Sequence, residues 1–167
     1  MESEAITTGR LDLLPLRVDH AGEMAEVLSD PALHTFIGGE PVSPEVLRAR
    51  YERMVQGPDD PGVSWLNWVI RLRDEDCLTG YVQATVESDG AEIAWVVGTP
   101  WQGRGIATEA ARGLVEWLDA QRVPTIIAHI HPDHRASASV ATAVGLTATD
   151  EWHDGEVRWH RAATLGG

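Results

Sequence analysis

The chain has 167 residues, with 13 Lys+Arg against 26 Asp+Glu, seven His and a single Cys. That length suits one domain, and 43% hydrophobic with 23% charged residues is the composition of an ordinary globular protein rather than a disordered or fibrous one. A formal net charge of −13 speaks against general nucleic-acid binding, because no basic excess exists to displace counterions from phosphate, and suits cationic partners better.

Residues 1–8 carry Glu2 and Glu4 and no apolar run, so no signal peptide is expected, and no stretch approaches the roughly 18 apolar residues that span a bilayer. Cys77 alone permits neither an intrachain disulfide nor a CxxC metal site. The expectation is a cytoplasmic protein without membrane contact, one domain over residues 1–167 with its core at about 8–162.

Arg10-Leu11-Asp12-Leu13-Leu14-Pro15-Leu16 puts Leu11, Leu13 and Pro15 on one face, the period of a strand. Asp19 reads as the N-cap of a helix whose stripe is Ala21, Met24, Ala25 and Leu28, stopped by Asp30-Pro31. Ser43 caps a second helix with Pro44 in its first position, and Leu47, Tyr51, Met54 and Val55 line one side until Gly57. After the loop over residues 56–62 come extended runs at 65–71, 78–87 and 91–97. Asp89-Gly90 between the last two signals a type I′ hairpin turn, which needs positive φ at both central residues.

From 105 to 120, Ile106, Ala110, Leu114 and Leu118 recur every four residues, a helix with one buried face. Residues 125–130 form a β-branched run of interior-strand type, followed by a helix from about 136 to 144 that Gly145 closes. Asp154-Gly155 marks a second hairpin. The order β-α-α-β-β-β-α-β-α-β-β is that of an α/β (α+β type) domain, with an antiparallel meander first and a βαβ crossover after it.

The chemistry lies in residues 92–107, which read as a strand, a glycine-bearing turn and a helix N-terminus. Backbone N–H groups at such a terminus converge on an anion, and Gly103 and Gly105 let a phosphate approach the main chain. A well-capped turn without a ligand is the plainer alternative for Gly-x-Gly alone. The turn is neither a P-loop nor a dinucleotide fingerprint, since it lacks Gly-Lys-Ser/Thr and a third spaced glycine.

Gln102-x-x-Gly105-x-Ala107 resembles the Gln/Arg-x-x-Gly-x-Gly/Ala motif of the GNAT superfamily of acyl-CoA-dependent N-acetyltransferases. Thr8-Gly9-Arg10-Leu11 with Leu14-Pro15-Leu16, then Ser29-Asp30-Pro31, is similar to the opening of the branch that includes ribosomal-protein N-terminal acetyltransferases. Glu92-Ile93-Ala94-Trp95 resembles that branch's fourth strand, and His134-x-x-Ser137 through Gly145-Leu146 its closing helix. The likeness runs from about residue 8 to 162. It implies a mixed sheet in which the strand ending at Val97 and the parallel strand over 125–130 splay apart, leaving a wedge for pantetheine.

By the same resemblance, acetyl-CoA is the co-substrate and no metal is needed. Val97 would offer main-chain groups to the pantetheine amides and an oxyanion donor. Gln102, Gly103, Arg104, Gly105, Ala107 and Thr108 would surround the pyrophosphate. His134, where many relatives carry Asn, would contact the pantetheine arm or phosphates. Acetyl transfer needs a neutral amine, hence a base. Glu92 occupies the family's catalytic glutamate position; the alternative is a carboxylate at the hairpin edge. Many relatives place a tyrosine general acid where Ala141 stands, so Ser137 or Ser139 substitutes, or a water does, or the thiolate leaves unassisted. His34 and Phe36 lie where the branch builds its acceptor pocket, or in an open loop.

His129-x-His131-x-x-His134 has a possible zinc spacing, opposed by the bend at Pro132; an ordinary strand-end cluster is the other reading. Of the seven Trp, Trp95 and Trp117 are expected in the core and Trp101 beside the turn. Trp65, Trp68, Trp152 and Trp159 either pack the sheet or line the acceptor side. The resulting expectation is an enzyme, monomer or homodimer, that acetylates a primary amine (a protein N-terminus or a small cationic amine) by direct attack in a ternary complex. The competing classes are a non-catalytic acyl-CoA-binding sensor and an interaction domain that binds no coenzyme.

Overall fold

Leu11 and Leu13 are fully buried while Asp12 between them is not, and this alternation recurs along a sheet of eight strands. The computed structural model describes residues 1–162. In chain order these form β1 (Ile6–Thr7), β2 (Leu11–Pro15), α1 (Ala21–Val27), α2 (His34–Ile37), α3 (Pro44–Gln56), β3 (Ser64–Leu72), β4 (Cys77–Glu87) and β5 (Gly90–Val97). They continue through α4 (Ile106–Ala120), β6 (Thr125–Ile130), α5 (Arg135–Ala143), β7 (Thr147–His153) and β8 (Glu156–Ala162). The sheet order is β1-β2-β3-β4-β5-β6-β8-β7, and every neighbouring pair is antiparallel except β5 with β6. The architecture is the mixed α/β sheet that the element order implies.

The two faces carry separate clusters. Ile106, Ala110, Leu114 and Leu118, the expected stripe of α4, pack on Ile93, Ile126 and Ala128 together with Val140 and Ala141 of α5. Each fully buried Leu or Ile there contributes about 1.5–3 kcal/mol. On the opposite face α1 and α3 cover β3 and β4 through Met24, Leu47 and Tyr51 against Val69 and Leu78. Those helices leave the matching face of β5, β6 and β8 open, with Glu92 and Ala94 exposed.

Local signals formed with three corrections. Ser43 Oγ accepts from the Val46 N–H at 3.3 Å and Pro44 opens α3 as expected, but Val55 is 55% exposed. At about 100° per residue it sits roughly 80° from Leu47, outside the strip that faces the sheet. Asp19 does not cap α1. It lies inside a 3₁₀ turn over Val18–His20, where His20 Nδ1 accepts from the Arg17 N–H at 3.0 Å and Asp19 takes the Arg17 guanidinium instead.

The two Asp-Gly hairpins differ. Asp154 and Gly155 both adopt positive φ, 49° and 82°, as a type I′ turn requires. At the other, Glu87 pairs with Gly90, so Ser88 and Asp89 make the turn and Gly90 already belongs to β5. Gly90 is required there by proximity: a Cβ would lie 2.4 Å from the Thr125 carbonyl oxygen of β6.

Trp68, not Trp95 or Trp117, is the fully buried tryptophan. Its Nε1–H donates to the Glu4 carbonyl at 2.7 Å and its ring meets Trp117 edge-on at 5.4 Å. Trp95, Trp117 and Trp159 pack on the core while partly open, and Trp65 and Trp152 are 41% and 61% exposed.

Candidate functional site

The parallel strands β5 and β6 share only the register pairs Ala91–Ile126 and Glu92–Ile127. Beyond them the strands part, and a wedge opens between residues 93–97 and 128–130. At its far end β5 runs into a 3₁₀ turn over Thr99–Trp101 and then Gln102-Gly103-Arg104-Gly105. Gly103 and Gly105 hold φ of 78° and 76°, and Gly105 is the N-cap of α4 in the left-handed conformation. Such a cap turns the first helical N–H groups outward. Among the described residues, none of the N–H groups from Gly103 to Thr108 meets a protein acceptor, and the first helix-closing bond is Glu109 N–H to the Gly105 carbonyl at 3.1 Å. A row of unpaired donors at a helix start is an anion cradle.

Above the cradle lies a groove of about 560 Å³. Trp95, Val96 and Val97 form one wall, His134, Ser137 and Ser139 another, and Leu33, Phe36 and Ile37 close the third side. Gln102, Gly103, Gly105, Ala107 and Thr108 line its base, as does Trp101. The Gln102 side-chain amide donates to the Val97 carbonyl at 3.0 Å, tying the turn back to the strand end.

Several expected residues stand elsewhere. The Arg104 side chain is not among the groove walls. Its guanidinium pairs with Glu75, and that hydrogen bond holds the Glu75 carboxyl below its usual range. Arg104 therefore offers its backbone N–H to the cradle and its charge to Glu75. Glu92 is half-exposed on the helix-free face, beside Thr85, Ile127 and Arg158. His129 Nδ1 stands 2.6 Å from its Oε1.

His34 and Phe36 separate as well. Phe36 enters the groove and stacks on the His134 ring at 4.2 Å with 7° between planes. His34 points to the other side of α2, its Nε2 2.9 Å from the Leu28 carbonyl and its Nδ1 3.3 Å from that of Gly38. It borders a second cavity, of about 210 Å³, floored by Trp68, Tyr51, Tyr81 and Gln83. Burial pushes the Tyr81 phenol up to about 12; burial and the neighbouring Tyr81 push Tyr51 up as well. Ile37 borders both cavities.

The three histidines of the His129-x-His131-x-x-His134 run take different partners. His129 meets Glu92, His131 Nδ1 accepts the Asp133 N–H at 3.0 Å, and His134 Nε2 lies 3.4 Å from Ser137 Oγ. Burial, with the nearby His131, lowers the His134 pKa, so its ring is neutral at pH 7 and free to donate or accept. Ala141 is fully buried and presents no polar group. Beneath the cradle, Glu109 accepts from Thr8 Oγ1 at 2.5 Å, from the Arg10 N–H at 2.8 Å and from Arg10 Nε at 2.7 Å. Burial alone would raise its pKa; these donors outweigh it and hold the carboxyl below its usual range.

Sequence reasoning missed the Glu92–His129 pair and the Tyr51–Tyr81 floor. The first was within reach: in a parallel pair of known register, Glu92 and His129 fall on the same face two residues apart. The second joins α3 to β4 and has no local signal.

The profile of the acetyltransferase (GNAT) domain family matches residues 10–147. The chain belongs to the GNAT acetyltransferase family. The uncharacterized N-acetyltransferase YnaD of Bacillus subtilis is 33% identical over 80 residues, 46% of this chain; the match spans about half the length of that relative, 47%. Among solved structures, the ribosomal alpha-N-protein acetyltransferase RimL in complex with coenzyme A superposes with a TM-score of 0.82 at 17% identity, over 98% of this chain and 100% of that one. Spermidine N-acetyltransferase from Vibrio cholerae, in complex with CoA and spermine, gives 0.75 at 15% identity, over 94% and 98%. At such identities the likeness is one of fold. The family match spans the splayed strands and the glycine turn, residues 91–130 among them. No helix among the described residues is long and apolar enough to cross a membrane.

Proposed function

We propose that this chain transfers the acetyl group of acetyl-CoA to a primary amine, by direct attack while both substrates are bound. The observation that carries this reading is the row of unpaired N–H groups from Gly103 to Thr108 at the mouth of the wedge. A diphosphate placed there meets donors without side chains in the way, and the helix dipole adds to them. Gln102, Gly103, Gly105, Ala107 and Thr108, with the backbone of Arg104, hold the pyrophosphate. Val97 meets the pantetheine amides through its main chain, with Phe36 and His134 enclosing the arm.

Developing charge on the thioester oxygen is stabilised by the Val97 N–H, and Ser137, which lines the groove, is our choice of the group that passes a proton to the departing sulfur. The acceptor arrives from the helix-free face, where Glu92 supplies the carboxylate of the proton-accepting apparatus. A protein N-terminus, as in the RimL neighbour, or a small cationic amine, as in the spermidine enzyme, suits the acidic surface. A cytoplasmic setting belongs to the same proposal.

Ala141, fully buried where many relatives carry a tyrosine, favours a second reading: a domain that binds acyl-CoA without turning it over. Isothermal titration with acetyl-CoA, followed by thiol release with a serine-initiated peptide and with spermine, separates the two. Heat on titration and thiol release with either amine support the transferase. Heat without thiol release supports the binding module, and no heat at millimolar ligand removes both.

A further inference from the structure

We infer that His129, not Glu92, takes the proton of the acceptor amine, and that Glu92 is the positioning residue that fixes the His129 ring. The inference rests on the transferase reading above and concerns only how its amine is deprotonated.

The geometry begins with a contact of 2.6 Å between His129 Nδ1 and Glu92 Oε1. At 2.6 Å a bare Nδ1 lone pair would repel the carboxylate, so the contact favours the tautomer with its proton on Nδ1, which leaves Nε2 as the ring's acceptor. Among the described residues no protein group donates to that Nε2. The pair therefore offers one ring lone pair, on an imidazole whose other nitrogen faces a carboxylate.

Position favours the imidazole too. Glu92 lies level with Ile127, within the last paired rung of β5 and β6. His129 is two residues on, level with Ala94 if the register is continued, and so about 7 Å deeper toward the Val97 end of the wedge. It shares a face with Glu92, since Ala128 and Ile130 point into the α4–α5 core and His129 does not. That is the face left open by the helices, from which an amine reaches a thioester whose pyrophosphate lies on α4.

The groups around the ring are Glu92 from β5, His131 beyond the end of β6, and Arg158 directly opposite on β8, the last paired with Glu151 at 3.7 Å. From the β7–β8 hairpin comes the His153 ring, 5.0 Å away, with Asp154 beside it at 3.2 Å. The His129 side chain is 14% exposed, shielded yet reachable. In the step, the ammonium gives a proton to His129 Nε2 and the freed amine attacks the thioester carbonyl carbon. The C–N bond forms and the C–S bond breaks; sulfur leaves with the electron pair and receives the second nitrogen proton. His129 then returns its proton to water, completing the balance.

The test uses the full chain, acetyl-CoA, and a serine-initiated peptide or spermine, whichever the wild type acetylates. His129→Ala is expected to lose about 100-fold in kcat, with acetyl-CoA affinity by titration within about twofold, and to regain about tenfold with added imidazole. Glu92→Gln loses about tenfold, and the double variant is no worse than His129→Ala, as for two members of one unit. His129→Gln guards against misfolding in the alanine variant, its melting temperature being read beside its kcat. Nitrogen-15 NMR of the histidine rings reads the tautomer without turnover: Nδ1–H in the wild type, mixed in Glu92→Gln. An active wild type whose His129 variants keep full kcat, or whose Glu92 and His129 losses multiply, overturns this assignment alone. A wild type that binds acetyl-CoA and acetylates neither amine overturns the transferase reading and the proton acceptor with it.

Discussion

On the α4 side of the wedge, the groups proposed to meet the ligand are unpaired main-chain N–H groups from one continuous stretch, Gly103 to Thr108. On the opposite face they are side chains brought together from β5, β6 and the β7–β8 hairpin. The first half is written in neighbouring residues and survives changes of side chain as long as the backbone can turn. The second half depends on strand register, and one substitution rewrites it. One fold can keep the first while the second varies.

The sharpest way to break the backbone half is Gly105→Val. It places a β-branched residue at φ 76°, with its Cβ 3.4 Å from the Arg10 guanidinium. The expected outcome is about a 100-fold loss of acetyl-CoA affinity by titration. Affinity within threefold of wild type would show that the cradle does not need this turn. Phe36→Ala removes the stacked ring over His134, worth about 0.5–1.5 kcal/mol beyond its buried area. About a tenfold rise in KM for acetyl-CoA is expected, while the KM for the amine stays put.

A smaller effect comes from beneath the cradle. Glu109 has its folded-state pKa depressed, so it adds stability above the ordinary glutamate range, about 4.3, and that stability is lost as pH falls through its lower folded value. Glu109→Gln is expected to cost about 1 kcal/mol in urea unfolding at pH 7 and nothing near pH 2, so the two stability curves converge in acid. Curves that stay parallel down to pH 2 would assign the loss to packing. The smallest effect belongs to Arg104→Ala, whose guanidinium is turned to Glu75 in an exposed pair. Acetyl-CoA affinity should fall by threefold at most; a larger loss would mean that the side chain swings to the phosphates on binding.

Legibility in the sequence follows the same division. The strand at residues 125–130 and the α4 stripe were readable because period and capping are local properties of the chain, as was the glycine turn. Both Asp-Gly hairpins form where the sequence marks them, but at Asp89-Gly90 the turn residues are Ser88 and Asp89, one place earlier, for one physical reason. A turn motif reports φ preference, whereas Gly90 is fixed by the Thr125 carbonyl of a strand 35 positions later. Trp95 and Trp117 pack on the core as expected and Trp68 fills the sheet, but composition says that a large aromatic is buried without saying which one is buried fully. The sheet face and the Glu4 carbonyl decide that. Phe36 and His34, two residues apart, were expected in one pocket, and a four-residue helix sends them to opposite sides of itself.

The close approach of Gly90 to Thr125 has a mechanical side. It pins β5 and β6 where they are nearest, so the two strands diverge from a fixed fulcrum like the legs of a compass. A small rotation about that point barely disturbs the paired rungs beside it, yet is magnified at the tips, at Val97 and Ile130. On the transferase reading proposed above, the thioester arm enters at the end of the wedge away from this fixed point.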